Sequence, residues 1–339
     1  MIREAIDVVV GGRSLTVEEA AQSMEEIMTG EATSAQFGAF VTALRLKGET
    51  VDEITGMAQV MREKSLHVNV EGSLVDTCGT GGDASGTFNI STTAAFVVAG
   101  AGVKVAKHGN RAMSGACGSA DVLEGIGGKI DLGPEGVQRC LEETGFGFMF
   151  AQTFHPAMRF AAGPRREIGI RTVFNILGPL TNPAGAKSQV IGVADPSMAR
   201  KMAEVLGKLG STHALVVHGG GGLDEISLSG PTQVWEMQGG SVLECSISPG
   251  DVGLSASSSS AIQAVGVEAS AQILRDVLAG KTGPARDIVL FNAAAALLAA
   301  DRVTSIKDGV GVAAAAIDSG RAQASMESFV KLSQSLSFL

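Results

Sequence analysis

Two adjacent carboxylates, Asp224 and Glu225, end the run His218-Gly-Gly-Gly-Gly-Leu-Asp-Glu225, with no lysine or arginine close to them in sequence. Adjacent acids on a loop are ordinarily just solvated. Opposite a phosphate ligand the same pair becomes a magnesium site, because the ion bridges one or two carboxylates to phosphate oxygens and keeps waters elsewhere. The stretch that offers such a ligand site is LVDTCGTGGDASGTFNISTTAAFVVA, residues 74–99. It reads as a short strand, a loop broken by Gly79, Gly81, Gly82 and Gly86, and a helix opening at Asn89 or Ser91. Such a turn aims backbone N–H groups and a positive helix end at one point, which suits an anion. Glycines allow close approach, and Thr80, Ser85, Thr87, Ser91 and Thr92 add hydroxyl donors. A phosphate cradle is the expectation, with a surface loop or a dinucleotide turn as the alternatives. The spacing departs from G-x-G-x-x-G, since Gly82 and Asp83 follow Gly81 and the next glycine is Gly86.

Three further segments carry charge in an acidic chain. Lys107-His-Gly-Asn-Arg-Ala-Met-Ser-Gly-Ala-Cys-Gly-Ser119 places Lys107, His108 and Arg111 before another helix start at Ser119. Phosphate recognition accounts for that cluster; a solvated loop is the plain alternative. Arg165, Arg166 and Arg171 crowd a segment ordered by Pro164, Pro179 and Pro183. A guanidinium pairs a carboxylate through two parallel hydrogen bonds, so one of them can read an acidic substrate, while salt bridges to Glu167 or other acids account for the rest. Gly280-Lys281-Thr282 imitates the end of a Walker motif, but Arg275 stands where its first glycine belongs and a helical run precedes it. Cys78, Cys117, Cys140 and Cys245 form no C-x-x-C pair, which argues against zinc and a disulfide scaffold. No serine–histidine–acid or cysteine–histidine arrangement asks for covalent catalysis.

The elements that must position these residues follow an α/β pattern. Strands are expected at Leu74–Thr77, Val103–Lys107, Gly147–Phe150, Gln189–Val193 and Ala214–His218, with helices between them at Ser119–Ile126, Pro134–Thr144 and Met198–Leu209. That alternation predicts a mainly parallel sheet with ligands at the carboxyl ends of its strands. Before it, Thr16-x-x-Glu19, Thr33-x-x-Gln36 and Thr50-x-x-Glu53 mark three capped helices, too short to bury their own apolar faces. They must pack on the rest of the chain or on a second subunit. From Ala261 the chain reads as mostly helical.

The 339 residues suggest about two domains, and 45% hydrophobic composition with 45 glycines and no tyrosine suits closely packed α/β layers. A formal charge of −9 argues against nucleic acid as a partner. No apolar run reaches membrane-spanning length, and Arg3, Glu4 and Asp7 leave no signal region, so a cytoplasmic location is expected.

Taken together, these segments resemble anthranilate phosphoribosyltransferases. The resemblance rests on Asp76-Thr-Cys-Gly-Thr-Gly-Gly-Asp83, Phe88-Asn-Ile-Ser-Thr92, Lys107-His-Gly-Asn-Arg111, Gly118-Ser-Ala-Asp-Val-Leu-Glu124, Arg165-Arg-Glu-Ile-Gly-Ile-Arg-Thr-Val-Phe-Asn175, Leu177-Gly-Pro-Leu-Thr-Asn-Pro183 and Gly222-Leu-Asp-Glu-Ile-Ser227, in order along residues 76–227. It implies transfer of the phosphoribosyl group of phosphoribosyl pyrophosphate (PRPP) to the amine of anthranilate, an early step of tryptophan synthesis. It also implies a small helical domain (residues 1–70 plus about 165–185) and a larger α/β domain (71–164 and 186–339), in a homodimer joined through the small domain.

Carried over by position, the resemblance gives PRPP to Gly79, Gly82, Asp83, Thr87, Asn89, Ile90, Ser91 and Thr92 of the first loop. The second loop adds Lys107, His108, Gly109, Asn110, Arg111 and Ser119. Anthranilate falls to Gly79, Asn110 and Arg165, and Mg2+ to Ser91, Asp224 and Glu225, with no side chain assigned as acid, base or nucleophile. Two departures stand out: Gly115-Ala116-Cys117 lacks a basic residue often present there, and Phe160 replaces a histidine or tyrosine. The alternatives are a pyrimidine nucleoside phosphorylase of the same fold and a non-catalytic nucleotide- or nucleic-acid-binding protein.

Overall fold

The computed structural model describes residues 1–112 and 117–336. It opens with a helix that no capping signal announces, α1 (Ile2–Val10), whose Ile2, Ala5 and Val9 are buried. The expected three helices are therefore four. The other three are α2 (Val17–Thr29), α3 (Ser34–Lys47) and α4 (Val51–Glu63), each closed by its capping box. In every case the threonine Oγ1 accepts from the amide three residues on, at 3.2 Å, and the Glu or Gln side chain accepts from the threonine amide. Glu53 does more than cap. Its buried carboxylate also accepts from Leu15 N at 3.0 Å and pairs with Lys47 Nζ at 2.9 Å, tying the loop before α2 to the start of α4.

The α/β part begins with β1 (Leu74–Gly79), α5 (Ile90–Gly100) and β2 (Lys104–Gly109). Next come α6 (Ser119–Gly125), α7 (Pro134–Thr144), β3 (Phe146–Phe150) and the single turn α8 (Ala151–Phe154). Two helices, α9 (Arg159–Ile168) and α10 (Phe174–Leu177), precede β4 (Ser188–Gly192), α11 (Ala199–Lys208) and β5 (His213–His218). All five expected strands exist, with ends shifted by one or two residues. Two more, β6 (Thr232–Gln238) and β7 (Ser241–Ile247), are not announced by the sequence pattern. They extend the sheet to the order β3-β2-β1-β4-β5-β6-β7, parallel through β5 and antiparallel beyond it. Helices α12 (Gly266–Leu278), α13 (Pro284–Ala299), α14 (Ile306–Asp318) and α15 (Arg321–Ser335) complete the chain. Gly280-Lys281-Thr282 follows a helix, as its rejection as a phosphate loop requires, and Lys281 pairs with Asp276.

The sheet carries a different core on each face. On β5, Leu215 and Val217 point into a core shared with α5 and α13, while Ala214 and Val216 point into one shared with α11 and the N-terminal helices. The apolar faces of the short N-terminal helices are thus buried against the sheet, against α9 and against Phe174, whose ring lies 5.2 Å from that of Phe37. Among the described residues no helix is long and apolar enough to cross a membrane.

Candidate active site

The carboxyl ends of β1, β4 and β5 meet around Asp224. Gly79 and Gly192 end the neighbouring strands β1 and β4, and a Cβ on either would collide with Asp224. The glycines are there to admit this acid. Asp224 Oδ2 then accepts from Gly81 N at 2.7 Å, which ties the metal-binding candidate directly to the first loop. Asp83 of that loop lies close enough for its charge to act on both Asp224 and Glu225, and its own Oδ2 is buried without a partner. Burial, then the charge of Asp83, pushes the Asp224 carboxyl up to about 7. Burial and Asp224 push Glu225 up to about 8, opposed by Lys107 and by the Ser91 amide. Two adjacent acids pushed up by burial, with the charge of Asp83 acting on both, are what a divalent cation stabilises. Ser91, Asp224 and Glu225, assigned to the metal by resemblance, are therefore brought together.

The basic cluster of the second loop does not form as expected. Lys107 and His108 are consecutive on β2, so their side chains leave opposite faces. Lys107 is fully buried under the first loop, where Nζ donates to Thr77 O and, at 3.1 Å, to Ser91 Oγ. Burial lowers its pKa while Asp76 and Glu225 pull it up. His108 is buried on the other face beside His155, with ring centroids 5.0 Å apart, and burial pushes it down to about 3. The imidazole there is uncharged and adds nothing to a cationic patch. Arg111 is also committed, pairing with Asp121 at 3.0 Å and with both oxygens of Glu124. Sequence proximity suggests one cationic patch; strand alternation and local acids divide it.

The other residues of the two loops are partly ligand-facing and partly framework. Gly82 has φ +85° and sits against the Arg171 guanidinium, which donates to Gly81 O at 3.1 Å. Thr87 Oγ1 lies 3.3 Å from Ser85 Oγ, while Ile90 and Thr92 are buried. Asn89 is a clamp: Nδ2 donates to Cys117 O at 3.0 Å and Oδ1 accepts from Thr92 Oγ1 at 2.9 Å. Ser119 Oγ reaches the same Oδ1 at 3.5 Å. Gly109 faces Phe148 and the Ser119 Cβ, and exposed Asn110 accepts from the Arg111 and Ala120 amides. Gly115 and Ala116 lie outside the described residues.

Arg165 is half-buried on α9 and stands 5.4 Å over the Phe174 ring. Among the described residues no carboxylate pairs with Arg165, Arg166 or Arg171, so the expected salt bridges are absent and Arg165 remains available. Burial lowers its pKa. Phe160 packs against Gly30 of the α2–α3 turn and under Arg159. Features beyond sequence reasoning are Gly192, the hold of Arg171 on the first loop and the His108–His155 pair, whose two Nε2 atoms are both buried without partners. Only the periodicity of β2 carries a hint of the last.

The comparisons agree with this geometry. Residues 71–323 match the family model described as glycosyl transferase family, a/b domain, and residues 3–65 match its helical bundle domain. The anthranilate phosphoribosyltransferase of Chloroflexus aurantiacus is 58% identical over 98% of this chain and 99% of its own. The crystal structure of the Thermus thermophilus enzyme of the same name superposes with a TM-score of 0.93 at 43% identity, covering 97% of this chain and 99% of that one. The Saccharomyces cerevisiae enzyme in complex with PRPP and Mg superposes with a TM-score of 0.90 at 28% identity, covering 98% of each chain. These names favour anthranilate transfer over nucleoside phosphorolysis. With two loops and an acid pair gathered on the carboxyl edge of a seven-stranded sheet, and with relatives matched from end to end, the chain belongs to the anthranilate phosphoribosyltransferase family.

Proposed function

We propose that this enzyme, which moves the phosphoribosyl group of PRPP to the anthranilate amine in tryptophan biosynthesis, uses the first loop and the Asp83–Asp224–Glu225 acids as its PRPP and Mg2+ site. The observation that carries this reading is the acid cluster pressed against bare glycines. Asp224, Glu225 and Ser91 would hold Mg2+. The ion supplies charge neutralisation for the departing pyrophosphate. Ser91, Asp224 and Glu225 offer too few oxygens for an octahedral shell, so substrate oxygens and water must complete it and metal binding is weak without PRPP.

Breaking the bond from the anomeric carbon to pyrophosphate builds positive charge on the ribose and negative charge on the leaving group. The chain's contribution is placement and preorganised donors. Gly79, Gly81 and Gly82 let backbone approach the phosphates, and Thr87 and Ser91 offer hydroxyls. Lys107 acts from beneath by fixing Ser91. Arg165, half-buried over Phe174 and with no carboxylate partner among the described residues, pairs the anthranilate carboxylate, with Asn110 placing the amine.

Residues about 165–185 belong with residues 1–70 in the helical unit, as the packing of α9 on α2 and α3 and of Phe174 on Phe37 supports. Exposed Val10 and Leu46 on that unit support a homodimer through it, which light scattering after gel filtration tests. A cytoplasmic location follows from the biosynthetic role. Mixing the protein with anthranilate, PRPP and Mg2+ should make anthranilate fluorescence fall. No fall with PRPP, together with phosphorolysis of uridine, would reject the reading.

A further inference from the structure

The first loop is held along its length by a segment that no chemical motif marks. Residues 257–264 run across it as a strap. Phe88 N donates to Ile262 O at 3.1 Å, Ala264 N to Gly86 O at 2.9 Å, and Gln263 Nε2 to Ser85 O at 3.2 Å. Thr87 and Gln263 form an antiparallel bridge, and Ser257 N anchors the strap's other end to Leu228 O at 3.0 Å. Beyond the strap, α12 brings in Ser270. This side chain is fully buried, and its Oγ accepts from Asn89 N at 3.0 Å. The amides of Phe88 and Asn89, which the sequence offers as anion donors, are therefore spent on framework.

We infer that Ser270 is a positioning residue for PRPP, setting both phosphate-facing loops through Asn89. The chain of contacts is short. Asn89 precedes the first turn of α5, where an amide has no partner within the helix. Ser270 supplies that partner and fixes the Asn89 peptide. The Asn89 side chain, oriented by that peptide and by Thr92, then donates to Cys117 O beside the N-terminus of α6. Burial raises the Cys117 thiol's pKa, against hydrogen bonds from Ser270 and Asn89, so the serine touches the second loop directly as well. One hydroxyl thereby spaces the start of α5 from the start of α6. Its hydrogen-bond partners, Asn89 and Cys117, both belong to the PRPP loops, so its effect falls chiefly on PRPP.

The inference rests on the reading that these loops hold PRPP, and the experiment separates the two. Ser270→Ala removes one oxygen from a buried site and leaves the Asn89 amide without its acceptor. The KM for PRPP should rise about 5- to 100-fold, the range for one buried hydrogen bond left unmade. The KM for anthranilate at saturating PRPP should stay put. Hydrogen exchange at the Asn89 amide should accelerate while the melting temperature falls by no more than about a few degrees, and Ser270→Thr, which keeps the acceptor, should restore the PRPP KM. An unchanged PRPP KM in Ser270→Ala overturns the inference. So does an equal rise in both KM values with a lowered melting temperature, which marks general damage. If Ser270→Thr does not fit the buried site, the Asn89 exchange rate in Ser270→Ala decides. A wild-type protein that forms no product from PRPP and anthranilate instead rejects the site reading itself.

Discussion

Replacing Asp224 by asparagine should make the metal-free protein more stable while it destroys turnover. The Asp224 carboxyl is displaced from an ordinary 3.8 to about 7, first by burial and then by Asp83. Each unit corresponds to about 1.36 kcal/mol, so the roughly three-unit rise amounts to about 4 kcal/mol of folding energy forfeited when the group must ionise. The sign follows from the direction. A carboxylate raised on folding costs nothing below its unfolded value, costs more as pH rises toward the folded value, and levels off above it. At pH 5 the cost is about 1.7 kcal/mol, and at pH 8 it reaches the full amount. Asparagine keeps an oxygen for the Gly81 amide, so the hydrogen bond is retained as the charge is removed. Relief of Glu225, whose pKa Asp224 also raises, adds in the same direction. Urea titrations in chelator should therefore show Asp224→Asn more stable than wild type at pH 8, with the gap narrowing by about 2 kcal/mol at pH 5. Turnover with PRPP and Mg2+ should drop by orders of magnitude, a trade of activity against stability. A variant less stable at pH 8, or a gap that ignores pH, would refute the claim that this acid is held in strain for a cation.

Three other outcomes follow from the same geometry. Arg165→Ala removes a two-pronged contact worth roughly 2–4 kcal/mol, so the anthranilate KM should rise about 30- to 1,000-fold with PRPP affinity barely changed; equal losses for both substrates would make Arg165 structural. Gly82→Val places a branched side chain at φ +85° and into the Arg171 guanidinium, and calorimetry should find PRPP binding abolished in a protein that still melts cooperatively. Glu53→Ala strands the Lys47 ammonium and the Leu15 and Thr50 amides, so urea should unfold the variant with about 3–5 kcal/mol less stability; a smaller loss would mean water takes over these contacts.

Local chemistry is legible in the residues themselves. Capping boxes at Thr16, Thr33 and Thr50 place helix starts because both partners lie within one turn. The glycines at 79–82 announce close approach because only a missing Cβ permits it. The five parallel strands show as apolar runs because they are buried on both sides. What depends on neighbours distant in the chain is not legible. Helix α1 has no side-chain cap, and β6 and the edge strand β7 mix polar with apolar residues, so neither produces a strong run. The basic residues of the second loop are adjacent in sequence, yet the pleat sends Lys107 and His108 apart, and Asp121 and Glu124 claim Arg111. Nothing local says that Gly192 makes room for Asp224, or that Ser270 holds Asn89 from 181 residues away. Residue type and short spacing determined which groups could bind phosphate and metal, since hydrogen-bonding capacity and backbone freedom belong to the residue. Which of them face the ligand was decided by the fold alone, because direction and burial are set by the strand register and by the helices packed against it.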